Sequence, residues 1–178
     1  MRFGPGPISL PTVAAAELPA STQLSAVDGQ TRSIDEWLIT FQLLGVVLDP
    51  FTYESSWLLE TAGDILSNFA GASVRTCFVV TGTAAEARQF CGPWVERVLV
   101  FADPDRTFVR DADLEALPAL FHLRQNRQFG GIAQGWQPQE WRAIAQLVAK
   151  ERHWASPIIP GPKMPAAYPG TPALDATV

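Results

Sequence analysis

Cysteine is nearly absent from this sequence, histidine is as scarce, and positive charge is thin. Only Cys77 and Cys91 occur, too few for a disulfide framework and suited to a reducing compartment. His122 and His153 stand far apart, with no Cys or carboxylate partners at ligand spacing, so no metal site is expected. Thirteen Lys and Arg against eighteen Asp and Glu give a formal net charge of -5. The basic residues never gather into a stripe, which makes nucleic acid a poor partner. No apolar run approaches the roughly 18 residues a bilayer requires, so membrane insertion is not expected. Met1–Leu10 has no apolar run of the secretory kind, and the expected location is the cytoplasm. No glycine-rich phosphate loop follows a strand, and Gly130-Gly131 reads as a hairpin turn, so no cofactor is expected.

What is abundant is proline, and it is unevenly placed. Ten of the fifteen prolines lie in the first nineteen or the last twenty-two residues. Such segments favour extended, polyproline-like chain that lies across a surface or stays mobile. The expected organisation is a proline-rich segment over 1–23, one packed domain over 24–153, and a proline-rich tail over 154–178. A hydrophobic content of 47% is enough for one real core.

Within the domain, Leu43–Leu48 is a continuous apolar run closed by Asp49 and Pro50, the pattern of a strand covered on both faces. Trp57, Leu58, Ala62, Ile65, Leu66 and Phe69 then recur at helical spacing, with Gly71 as a stop. Val74–Val80 is a second strand, Thr83 to Glu86 has capping-box spacing for a helix to about Phe90, and Val98–Phe101 is a third strand. Asp103 can cap a helix beginning at Pro104. Ala119–Leu123 and Ile132–Gln134 read as a hairpin joined by Arg124–Gly131. A last helix starts at Pro138 with Trp141, Ile144, Ala145 and Val148 as its buried stripe. Alternating βαβ units followed by a hairpin and a helix predict an α/β fold, a mixed central sheet with helices on both faces.

That order, with Leu117-Pro118 directly before a strand, resembles the thioredoxin-like superfamily, in particular its TlpA and peroxiredoxin-like branch, over roughly Leu24 to Lys150. The lead-in Val27-Asp28-Gly29-Gln30-Thr31-Arg32-Ser33-Ile34 is similar to the DGxxxSL segment before the first core strand there. The resemblance implies a redox turn at Leu48–Ser55, with Thr52 and Ser55 where the C-x-x-C cysteines would be, and Pro118 as the cis proline beside it. Phe51-Thr52-Tyr53-Glu54-Ser55 also looks like the FTxxC of peroxiredoxins, and Ser55 again stands at the cysteine. A helix N-terminus can bring a thiol into the physiological range but leaves an alcohol protonated. Neither disulfide exchange nor peroxide reduction is expected at Ser55.

Other constellations read as structure. Phe90-Cys91-Gly92-Pro93-Trp94 imitates a redox motif but follows a helix and precedes a strand, the reverse of what that motif needs. Cys77 alternates with Val79 in an apolar strand and reads as a small buried hydrophobe. A Cys77–Cys91 bond needs Cα atoms within about 7 Å, which stays open here. Of six tryptophans, Trp57 and Trp141 lie on apolar stripes, whereas Trp136 and Trp154 are expected nearer the surface than the rest, with core still the better reading for each alone. The resemblance thus implies a redox-inactive protein-binding module, an assembly chaperone or accessory subunit. Its groove is expected at Thr52, Tyr53, Glu54, Ser55, Leu117 and Pro118, where the backbone beside the cis proline pairs with an extended segment. Its partner is another protein or a second copy of the chain, with the tail from Ser156 onward as a second contact or folded back over the domain. The alternative is a thiol oxidoreductase or peroxidase working through Cys91 or Cys77.

Overall fold

The computed structural model describes residues 15–174; the expectations placed on Met1–Leu10, including Pro5 and Pro7, and the end of the tail lie outside them. The chain opens with β1 (Gln23–Ala26), β2 (Thr31–Ser33) and α1 (Ile34–Trp37). It continues with β3 (Gln42–Leu48), α2 (Tyr53–Ser67), β4 (Val74–Val80), α3 (Ala84–Cys91), β5 (Leu99–Ala102) and α4 (Thr107–Asp111). β6 (Ala116–Leu117), β7 (Ala119–Leu123), β8 (Phe129–Gln134), α5 (Pro138–Arg152) and β9 (Thr171–Pro172) complete it.

Seven strands form one mixed sheet in the order β2-β1-β5-β4-β3-β7-β8. β3, β4 and β5 are parallel, as the apolar runs of β3 and β4 require, while β1 and β7 add antiparallel neighbours. Side chains alternate between two cores. Leu44, Val46, Leu48, Phe78 and Val80 pack with α2, α3 and α5, and Leu43, Val47, Cys77, Val79 and Phe101 pack with α1 and α4. Thr83 and Glu86 make the expected capping box at α3.

Several expectations are corrected. The helix after β5 starts at Thr107 rather than Pro104. Asp103 still serves it, accepting the N–H groups of Thr107 and Phe108 at 2.9 and 3.0 Å, but the chain first turns through Arg106 at φ 56°. Gly130 and Gly131 lie inside β8. The turn is at Gln125–Arg127, where Asn126 Oδ1 accepts the Gln128 N–H. Gly131 is needed instead for close approach, since a Cβ there would lie 2.9 Å from Ile144 Cγ1. Trp136 is fully buried, its indole N–H given to the Pro165 carbonyl, whereas Trp57 is 58% exposed and off the buried stripe of α2. The packed body also exceeds 24–153, because Leu18, Ile159 and Ala173 are buried in it. The tail does fold back over the domain: β9 pairs antiparallel with β6, and Trp136 and Tyr168 exchange two backbone bonds.

Candidate functional site

The turn from β3 into α2 is fixed by short polar side chains. Thr52 is the N-cap, with Oγ1 accepting the Ser55 N–H at 3.4 Å, as its β-region backbone allows. Ser55 is fully buried, and its Oγ accepts the Asp49 N–H at 2.9 Å. Asp49, itself buried at the end of the strand, accepts the Phe51 N–H through Oδ1 and meets Arg106 Nη2 at 3.0 Å through Oδ2. Ser55 is thus a joint between strand and helix, inaccessible to any substrate.

On the same end the tail ties the expected groove together. Tyr168 donates its hydroxyl to the Glu54 carbonyl at 2.6 Å, and Thr171 Oγ1 donates to the Leu117 carbonyl at 3.4 Å. Arg106, besides holding Asp49, donates through Nη1 to the Ala173 carbonyl. Burial, helped by the nearby Glu54 charge, raises the Tyr168 phenol well above its ordinary pKa. The Leu117-Pro118 peptide is cis, as the resemblance implies. The backbone of Leu117 is not free, however: the groove expected there is filled by Thr171 of the same chain. Leu117 and Pro118 are buried, so of the six expected groove residues Tyr53 alone is strongly exposed, at 77%. Phe51, in the same turn, and Trp57 are exposed as well. Tyr53 and Trp57 stack at 6.4 Å, and Tyr168 of the tail stands edge-on to Trp57 at 6.0 Å.

The thiols lie elsewhere. Cys91 is the last residue of α3, in the core of one face of the sheet, and Cys77 sits mid-strand in the core of the other, so the sheet separates them and both are free. Burial pushes the Cys91 thiol up to about 12 and that of Cys77 higher still, against the opposing pull of Arg75. Neither supplies a thiolate at neutral pH. Among the described residues no group of three or more His, Cys, Asp or Glu is placed to hold a metal, and no helix is long and apolar enough to cross a membrane. Sequence reasoning missed Arg106, Tyr168 and the tail strand. The one available signal was an aromatic followed by Pro169-Gly170 in an otherwise featureless tail.

No protein-family model and no curated protein sequence matches the chain. Solved structures do. MTB dsbF, determined in mixed oxidized and reduced forms, aligns with a TM-score of 0.60 at 14% identity, covering 75% of this chain and 98% of that one. Peroxiredoxin Q of Xanthomonas campestris aligns at 0.61 and 15%, covering 79% and 97%. A hypothetical protein of Sinorhizobium meliloti 1021 aligns at 0.66 and 11%, covering 91% and 94%. The chain has the thioredoxin-like fold, with Thr52 and Ser55 at the turn where the resemblance places the cysteines. The sequence contains no C-x-x-C pair.

Proposed function

We propose that this chain is a redox-inactive thioredoxin-like protein that works by holding another polypeptide, as an assembly chaperone or accessory subunit, in a reducing compartment such as the cytoplasm. The observation that carries this reading is the contrast at one turn. Ser55 is buried and its oxygen committed to Asp49, while Phe51, Tyr53 and Trp57 beside it are turned to solvent. Exposed aromatics grouped in this way are the residues that anchor polypeptide partners. The buried state of both cysteines supports the same reading, and the net charge of -5 favours a protein partner over a nucleic acid.

The test is co-purification of the full chain from its native host, with the co-purified protein identified and then measured again with a Tyr53→Ala, Trp57→Ala double variant. Loss of that protein in the folded double variant is the expected result, and unchanged recovery contradicts the reading. The rival enzyme reading predicts insulin or peroxide reduction by the parent chain that Cys91→Ser or Cys77→Ser abolishes.

A further inference from the structure

Phe90-Cys91-Gly92-Pro93-Trp94 imitates a redox motif in sequence, and in the fold it builds the wall of a pocket. α3 stops at Cys91, Gly92 turns the chain at φ 57°, and Pro93 lies in a short 3-10 helix over Gly92–Glu96. The turn sends Trp94 into the core, where its ring stands edge-on to Phe78 at 6.5 Å. Gly63 of α2 makes room for it, since a Cβ there would strike the indole. Trp94 is therefore held in one place from both sides.

That indole carries one charge of each sign. At its edge, the N–H donates to Glu60 Oε2 at 3.0 Å, and over its face the Arg97 guanidinium lies 4.4 Å from the ring centroid. Glu60 and Arg97 are both exposed residues. They form no ion pair with each other, and the ion pairs among the described residues lie elsewhere, so Glu60 Oε1 and the guanidinium N–H groups are left to solvent. Both line a pocket of about 350 Å³ whose apolar side is Leu59, Phe90 and Pro93. Leu59 and Phe90 are half-buried against the core and turn the rest of their surface outward.

The lining selects its ligand by charge. A molecule with a carboxylate alone meets Arg97 but is repelled by Glu60, and one with an amine alone meets the reverse conflict. A molecule with both groups on one carbon satisfies the two at once. We propose that this pocket binds a free apolar α-amino acid, its carboxylate on Arg97, its ammonium group on Glu60 Oε1, and its side chain against Leu59, Phe90 and Pro93. The volume is at the small end of ligand pockets, as a ligand of this size requires. The site shares no residue with the exposed pair Tyr53 and Trp57 and does not depend on the polypeptide-binding reading.

The test is titration of the full chain with L-leucine and L-phenylalanine, followed by calorimetry and through the indole N–H resonance of Trp94. The resonance should shift and saturate, with a dissociation constant of about a millimolar or tighter. Hydrocinnamate and phenethylamine, which each keep one of the two charges of phenylalanine, should bind at least about tenfold more weakly. Arg97→Gln and Glu60→Gln should each weaken phenylalanine by about tenfold or more in chains that keep the parent's near-UV circular dichroism. The absence of a saturable shift with either amino acid at about ten times the expected dissociation constant overturns the proposal. So does binding that the one-charge analogues match, or that both variants leave unchanged. If a variant does not fold, the analogue comparison on the parent chain decides alone.

Discussion

Ser55 Oγ accepts the backbone N–H of Asp49 at 2.9 Å, and that single bond joins the end of the central strand to the first turn of α2. The side chain at the position where the resemblance places a reactive thiol is thereby part of the scaffold. Ser55→Ala removes the acceptor and leaves the Asp49 N–H buried without a partner, at a cost of about 1–3 kcal/mol. Urea denaturation should show a lower midpoint with an unchanged slope, and a midpoint equal to the parent's removes this role from Ser55.

Arg106 is the second joint of the site. Its guanidinium lies 3.0 Å from the buried Asp49 carboxylate and also donates to the tail carbonyl at Ala173. Arg106→Ala strands a buried carboxylate and should destabilise by about 3 kcal/mol. Combined with Asp49→Asn, the loss should be smaller than the sum of the two single losses, because the residues touch. Additive losses in a double-mutant cycle contradict the pairing.

Gly45 lies at the middle of β3 under two side chains. A Cβ there would come within 2.5 Å of Phe121 Cζ and 2.6 Å of Cys77 Sγ. Gly45→Ala should cost about 1–3 kcal/mol through overpacking, and Gly45→Ala with Cys77→Ala should recover part of it. Thermal melts of the three chains measure this, and a fully stable Gly45→Ala chain contradicts the packing.

Stability should depend on pH through His122. The ring is fully buried, Nε2 lies 2.8 Å from Gln42 Oε1, and Nδ1 has no partner. Burial, reinforced by the positive charges of Arg124 and Arg152 and opposed by Glu151, lowers its pKa to about 4. The unfolded chain takes up a proton near the ordinary value of about 6.5, and the folded chain refuses it until about 4. Stability is therefore fully present above about pH 6.5 and falls by on the order of 3 kcal/mol as the pH drops to about 4. His122→Asn should flatten that part of the curve, and an unchanged slope in urea titrations across the window contradicts the assignment.

The sheet was legible because its strands carry their own evidence. The unbroken apolar runs of β3 and β4 dictate burial on both faces, and the Thr83/Glu86 spacing dictates a cap. The turn that leads from β3 into α2 could be read because Asp49 and Pro50 close the apolar run and a helical stripe follows. Long-range closure could not be read. Arg106 reaches Asp49 and Ala173 across 57 and 67 residues, and a two-residue strand such as β9 has no periodicity to detect. Trp57 was misplaced, and Trp136 set too near the surface, for the same reason. Helical spacing does not say where the helix outgrows the sheet, and the tryptophan after β8 is buried where Trp141 packs on it and Pro165 and Tyr168 of the tail close over it.

The central claim, a thioredoxin-like fold without thiol chemistry, is tested most directly by following the reaction of a disulfide reagent with the native chain at pH 7 alongside insulin and peroxide reduction. The account predicts no reaction of Cys77 or Cys91 on the timescale of minutes, two thiols released on denaturation, and no turnover. A native thiol that reacts at once, together with turnover that Cys91→Ser abolishes, would contradict it.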